Sequence, residues 1–174
     1  MGQGIATDRN DKQINDMNRI TLKVNKANVY NEVAKTTSYV GQKMSTPDDD
    51  AYERVFTTDG DQMMLERFWT ECCNAATEGL MGMVVNVTDY PVSHGVELDR
   101  DYEVELELSS GFSVPLAKSM ELSLYSFFVE LICAKWFRMT NKGEAEVYAA
   151  DAARSLDDVL RKAYHRSAPV RVKS

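Results

Sequence analysis

The chain has 174 residues, 44% of them hydrophobic and 27% charged, which suits one globular domain with a real core and excludes a wholly disordered chain. Its net charge of −7 argues against a free-standing nucleic-acid binder, since such proteins neutralise phosphates with clustered Lys and Arg. The charge is unevenly spread: Arg161 to Ser174 holds five basic residues and no acid, so this segment is +5 and the rest of the chain −12.

Residues 1–18 are rich in Asp, Asn and Gln and lack the apolar run of a signal peptide, so they are expected to form a flexible N-terminal arm. Ile20, Leu22 and Val24 alternate with polar residues, a short strand signal. Val29, Val33, Thr37 and Val40 then recur at helical spacing over 27–43, with Gly41 as a plausible stop. Ser45 to Asp50 reads as a solvated acidic turn around Pro47. It lacks the glycine and terminal glutamate of a calcium loop. Thr57-Thr58-Asp59 opens a second helix to about Leu80, with Met64, Leu65, Phe68, Trp69, Cys72 and Ala76 on a broad core-facing stripe.

Val84, Val85 and Val87 begin a β region, and Tyr90-Pro91 and His94-Gly95 are loop signals. Residues 102–108 form the cleanest strand, with Tyr102, Val104, Leu106 and Leu108 on one face and Glu103, Glu105 and Glu107 on the other. Ser113 is an expected N-cap, and Pro115 suits the first turn of a long helix to about Thr140. Apolar residues cover more than half its circumference around Phe127–Trp136, so it is the expected central helix. The last helix, about Glu144 to Tyr164, is expected to bury Val147, Ala150, Ala153, Leu156, Leu160 and Tyr164; Pro169 prevents easy continuation. The fold class is therefore mainly α, a helical bundle with a small β-strand or hairpin insertion. It is divided into the arm at 1–18, a single mainly helical domain at 19–164 and a basic C-terminal tail at 165–174.

The chain carries no motif for catalysis, metal binding or a cofactor. Neither His94 nor His165 stands at a motif spacing from a nucleophile and an acid, and there is no Cys-x-x-Cys, His-x-x-x-His or glycine-rich phosphate loop. Cys72, Cys73 and Cys133 are odd in number and set in apolar helical patterns, so reduced, buried thiols in a cytosolic compartment are expected. The apolar stretch of the central helix is interrupted by Glu121, Glu130, Lys135 and Arg138, so no membrane span is expected. The residues point to a non-enzymatic domain that assembles with something. The acidic body and basic tail suit head-to-tail contact between copies, or docking onto an acidic partner.

The order of elements resembles the head–tail connector, or adaptor, proteins of tailed bacteriophages. The residues that carry the likeness are the acidic helix Asp61–Ala76, the strand region Tyr102–Leu108, the helix Leu124–Arg138 with Ala134-Lys135-Trp136-Phe137-Arg138, and Asp157–Arg166 ending in Tyr164-His165-Arg166. It spans about Asp59 to Arg171; residues 1–50 have no counterpart, and the connection Met81–Arg100 is long. The resemblance implies a ring, twelvefold if it matches a portal, that joins the portal protein to other neck or tail proteins. The resemblance also implies synthesis in the host cytoplasm and a place in the virion neck. Tyr164, Arg166, Arg171 and Lys173 become partner-binding candidates. Glu103, Glu105 and Glu107 become channel-facing candidates that would let DNA pass without sticking. The alternative is a small intracellular regulatory or adaptor protein of a bacterium or mobile element.

Overall fold

A computed structural model describes residues 17–43, 59–87 and 100–166. The arm before Met17, the acidic turn at 44–58, the loop signals at 88–99 and the tail residues 167–174, including Pro169, Arg171 and Lys173, lie outside the described residues. In chain order the elements are β1 (Asn18–Val24), α1 (Lys26–Lys43), α2 (Asp59–Leu80), β2 (Val84–Val87), β3 (Tyr102–Leu108), α3 (Leu116–Thr140) and α4 (Lys142–Ala163). The fold is mainly α with a small antiparallel sheet of order β1-β3-β2.

Alternation decides how the sheet sits. Leu22, Val24, Tyr102, Val104, Leu106 and Leu108 are buried, and their neighbours of opposite parity face water. β1 pairs with β3 in unbroken register from Asn18↔Leu108 to Val24↔Tyr102, whereas the β2–β3 register shifts between Val84 and Asn86. A one-residue slip would turn every one of these apolar side chains outward, which is why the register is well specified.

The helix α3 is central, as its all-round hydrophobicity predicts: it packs on α1, α2, α4 and β1. Phe128 is fully buried, with ring centroids 4.9 Å from Trp69 and 5.2 Å from Tyr102, so one side chain joins α2, α3 and the sheet. Trp136 and Phe68 are buried in the same core; Leu131 is only half-buried at its edge. The start of α1 is fixed from β3: the Asp101 carboxylate accepts from the Lys26 N–H at 3.0 Å and from Asn25 Nδ2 at 3.0 Å. Lys26 is only 5% exposed; its Nζ donates to Glu66 Oε2 at 2.6 Å, and Tyr30 Oη donates to Glu66 Oε1 at 2.9 Å. A buried lysine needs such a partner, so this pair ties α1 to α2.

Three expectations differ from the structure. Ser113 does not cap α3 with its side chain. Instead its carbonyl accepts from the Leu116 N–H and that of Val114 from the Ala117 N–H, so a backbone turn leads into the helix. Met64 is partly exposed rather than in the core stripe. The buried face of α4 is Ala145, Ala152, Val159 and Ala163, with Tyr148, Leu156 and Leu160 half-buried. Val147, Ala150, Ala153 and Tyr164 face water instead. Alanines occur all round this helix, so hydrophobicity alone leaves its rotation ambiguous by about one residue.

Candidate partner-binding surface

The turn between β3 and α3 gathers both ends of the described chain. Phe112 N–H donates to Ser109 O at 2.9 Å and closes the turn, and the buried Phe112 ring anchors it. Asn18, the first residue of β1, donates from Nδ2 to Ser109 O at 3.1 Å and Ser110 O at 3.2 Å. From the other end of the sequence, α4 stops at Ala163, and Arg166 forms an isolated antiparallel bridge with Phe112. A Cβ on Gly111 would meet Arg166 Cγ at 3.7 Å, so the arginine's aliphatic stem lies along this turn. Residues 1–16 therefore enter, and residues 167–174 leave, at one pole.

The pole is partly apolar on its surface. Val114 in the turn before α3 and Tyr164 at the end of α4 are both exposed, Tyr164 to 70%. An exposed aromatic beside cations is a common feature of protein–protein contacts. Of the partner-binding residues expected from the sequence, Tyr164 and Arg166 are here, while Arg171 and Lys173 lie outside the described residues.

Glu103, Glu105 and Glu107 face solvent as the alternation predicted, but β1 brings cations to the row. Arg19 Nε lies 3.3 Å from Glu107 Oε1 and its Nη1 4.0 Å from Glu105 Oε1, and Lys23 stands opposite Glu103 in register. Lys23 Nζ is also 3.4 Å from Asp101 Oδ2. The face is thus a mixed-charge ladder with an acidic surplus. The sequence reading missed this because register between distant strands is not written in local periodicity.

A second feature lies along the α3–α4 seam, where an open depression of about 490 Å³ is lined by both helices. Ser119, Ser123 and Ser126 recur on one face of α3, opposite Ser155, Asp158 and Lys162 of α4. Lys162 Nζ donates to Ser123 Oγ at 2.8 Å and approaches Asp158 Oδ2 at 2.5 Å; Ser123 Oγ in turn donates to Asp158 Oδ2 at 2.7 Å. Lys162, then Ser123 and Arg161, hold the Asp158 carboxyl well below the usual carboxylate range. A carboxylate so stabilised is a poor proton acceptor, and an ammonium donating to Ser123 does not activate its hydroxyl. The cluster pins the two helices together. The flanking Arg154 and Arg161 pair with Asp151 and Asp158 on the same helix, and Lys162 shares Asp158, so the lining carries three cations against one anion.

The three cysteines are buried in the core. Burial pushes the Cys72 thiol up and raises that of Cys133 to about 12, which keeps both protonated and unreactive. Among the described residues no helix is long and apolar enough to cross a membrane.

Compared with protein-family models, curated proteins and solved structures, the chain matches none.

Proposed function

We propose that this chain is a non-enzymatic structural subunit of a bacteriophage neck, assembling into a ring that joins the portal to the tail and lets DNA pass. The observation that carries the reading is the convergence of both terminal segments at one pole, beside the exposed Tyr164 and Val114 and at the root of the basic tail. A helical body whose two chain ends meet at one pole suits a component that grips its neighbours there. The acidic surplus on the sheet face and the basic residues beyond Arg161 give each copy two unlike surfaces. Contacts between unlike surfaces are head-to-tail, and they close into a ring when the rotation between copies allows it. A channel wall with an acidic surplus repels the DNA backbone, consistent with passage without binding.

The test is native mass measurement and electron microscopy of the purified chain, alone and mixed with a portal protein from the same genome. The expected result is a closed ring, alone or on the portal, twelvefold if it follows portal symmetry. A chain that stays monomeric or dimeric with the portal present overturns the reading in favour of a regulatory or adaptor protein.

A further inference from the structure

The sheet has an open edge. Lys23 N–H points away from β3 and donates to Glu121 Oε2 at 3.1 Å. Backbone groups alternate in direction along an antiparallel strand, so the N–H and C=O groups of Arg19 and Thr21 point the same way as that N–H. Among the described residues no backbone group pairs with them on that side, and both residues are exposed. Glu121 closes the edge at Lys23, leaving it open at the end nearest the pole. The other edge is less suitable, because β2 has four residues and a register shift, features that blunt strand pairing.

The sequence beyond Arg166 contains a matching segment. Val170-Arg171-Val172-Lys173 alternates apolar and basic residues, the pattern of a half-buried strand. Its direction of departure matters. α3 starts at the pole and α4 returns to it, and Arg166 pairs antiparallel with Phe112, whose chain is heading back toward α3. The described chain thus ends at the pole, near the first residue of β1. Eight residues extended at about 3.3 Å each reach about 26 Å, enough to meet an adjacent molecule.

We propose that Val170–Lys173 of one copy adds as a fourth strand to the open edge of β1 in a second copy, at Arg19–Thr21. Val170 and Val172 then extend the apolar face of Ile20 and Leu22. Arg171 and Lys173 lie on the outer face beside Arg19, Thr21 and Lys23 of β1, whose two cations already pair with Glu105, Glu107 and Asp101. The backbone supplies the pairing, and Val170 and Val172 supply the preference for which face turns inward. A strand this short binds weakly once, and a closed ring repeats it at every interface. The inference rests on the ring reading and names its contact.

The test uses the full-length chain in three arms. In the first, Val172→Pro removes a strand N–H and keeps both charges, and Val172→Thr keeps a β-branched residue. Sedimentation should show self-association at least tenfold weaker for the proline variant and little changed for the threonine variant. In the second, a Thr21→Cys chain is mixed with an Arg171→Cys chain of different tagged length and treated with a short bismaleimide; a mixed dimer is expected. In the third, the Thr21→Cys/Arg171→Cys double variant is treated at high dilution, where little intrachain product is expected. Unchanged association of Val172→Pro, absence of the mixed dimer, or an intrachain product at high dilution each overturns the proposal. If Val172→Pro still forms rings, the strand contact fails while the ring reading stands. If the natural chain forms no ring with its portal, the ring reading fails, and the mixed dimer still decides the strand contact.

Discussion

Phe128 stands where α2, α3 and the sheet meet, in contact with the rings of Trp69, Tyr102 and Phe127. A site closed by three rings cannot collapse when emptied, so Phe128→Ala is expected to cost about 3–5 kcal/mol in denaturant unfolding; a cost below about 1 kcal/mol would place the residue outside the core. The thiols follow the same logic of burial. Folded protein at pH 8 should react slowly with a maleimide, and all three cysteines should react once it is unfolded; fast labelling of the native chain would contradict their placement. Two carboxyls on the α3–α4 seam should respond to pH with opposite sign. Asp158 is held low by Lys162 and Ser123, so its contribution is present above about pH 4 and is lost as pH falls below it. Glu130 is held high by burial, only partly offset by Ser155 donating to it at 2.6 Å, so its ionisation costs stability as pH rises through the carboxylate range. Thermal melts at neutral pH should therefore show Asp158→Asn melting lower and Glu130→Gln melting no lower than the natural chain. Asp158→Asn should also flatten the loss of stability between about pH 4 and pH 2.

Between elements, the closest approach with a predictable consequence is that of α2 and α4 at Gly79. A Cβ there would lie 2.9 Å from Leu156 Cδ2, inside normal contact. Gly79→Ala gains about 0.8–1 kcal/mol of helix propensity and loses a similar amount in displacing Leu156, so its net effect should be small. In a Leu156→Ala background the clash is gone, and the same substitution should stabilise by about 1 kcal/mol; additivity of the two changes in unfolding experiments would refute the contact. The glycine lies inside α2, one residue before its end at Leu80. Most elements were readable from period alone. The alternation at 102–108 and the broad stripes of α2 and α3 reflect burial on one face or all round, and burial writes itself into local spacing. The phase of α4 was not readable, since alanine on every side offers no contrast. Nor were the Arg19–Glu107 pairing and the meeting of Asn18 and Arg166 at one turn, which depend on partners some ninety and fifty residues apart in the chain. The serine row at 119, 123 and 126 was the available clue to the polar seam, because its spacing matches that of Ser155, Asp158 and Lys162 on the facing helix.

On the scale of the whole molecule, charge and chain path point the same way. The body is closed by its own core: the buried face of every described helix is already covered, and Val114 and Tyr164 stay exposed where the chain enters and leaves, as do Tyr39, Met63, Leu122 and Met139 elsewhere. The last turn of α4 is fixed on α3 by Lys162, and the chain just past it is held to Phe112 at Arg166. Deleting Ser167–Ser174 should leave the melting temperature of the monomer nearly unchanged, within the small range typical of changes that remove no core contact. Assembly and portal docking should weaken in the same variant, because Arg171 and Lys173 are lost together with the strand-forming residues between them. Added salt should reproduce part of that weakening in the natural chain, since charge contacts at a rim are screened over about 8–10 Å at ordinary ionic strength. The part that salt cannot reproduce belongs to backbone pairing and apolar contact, and it should be the part that Val172→Pro removes. Sedimentation of the natural, truncated and proline chains across a salt series separates the two contributions. If the truncated chain assembles and docks like the natural one at every salt concentration, the tail is only a solubilising end, and its basic charge has no bearing on assembly.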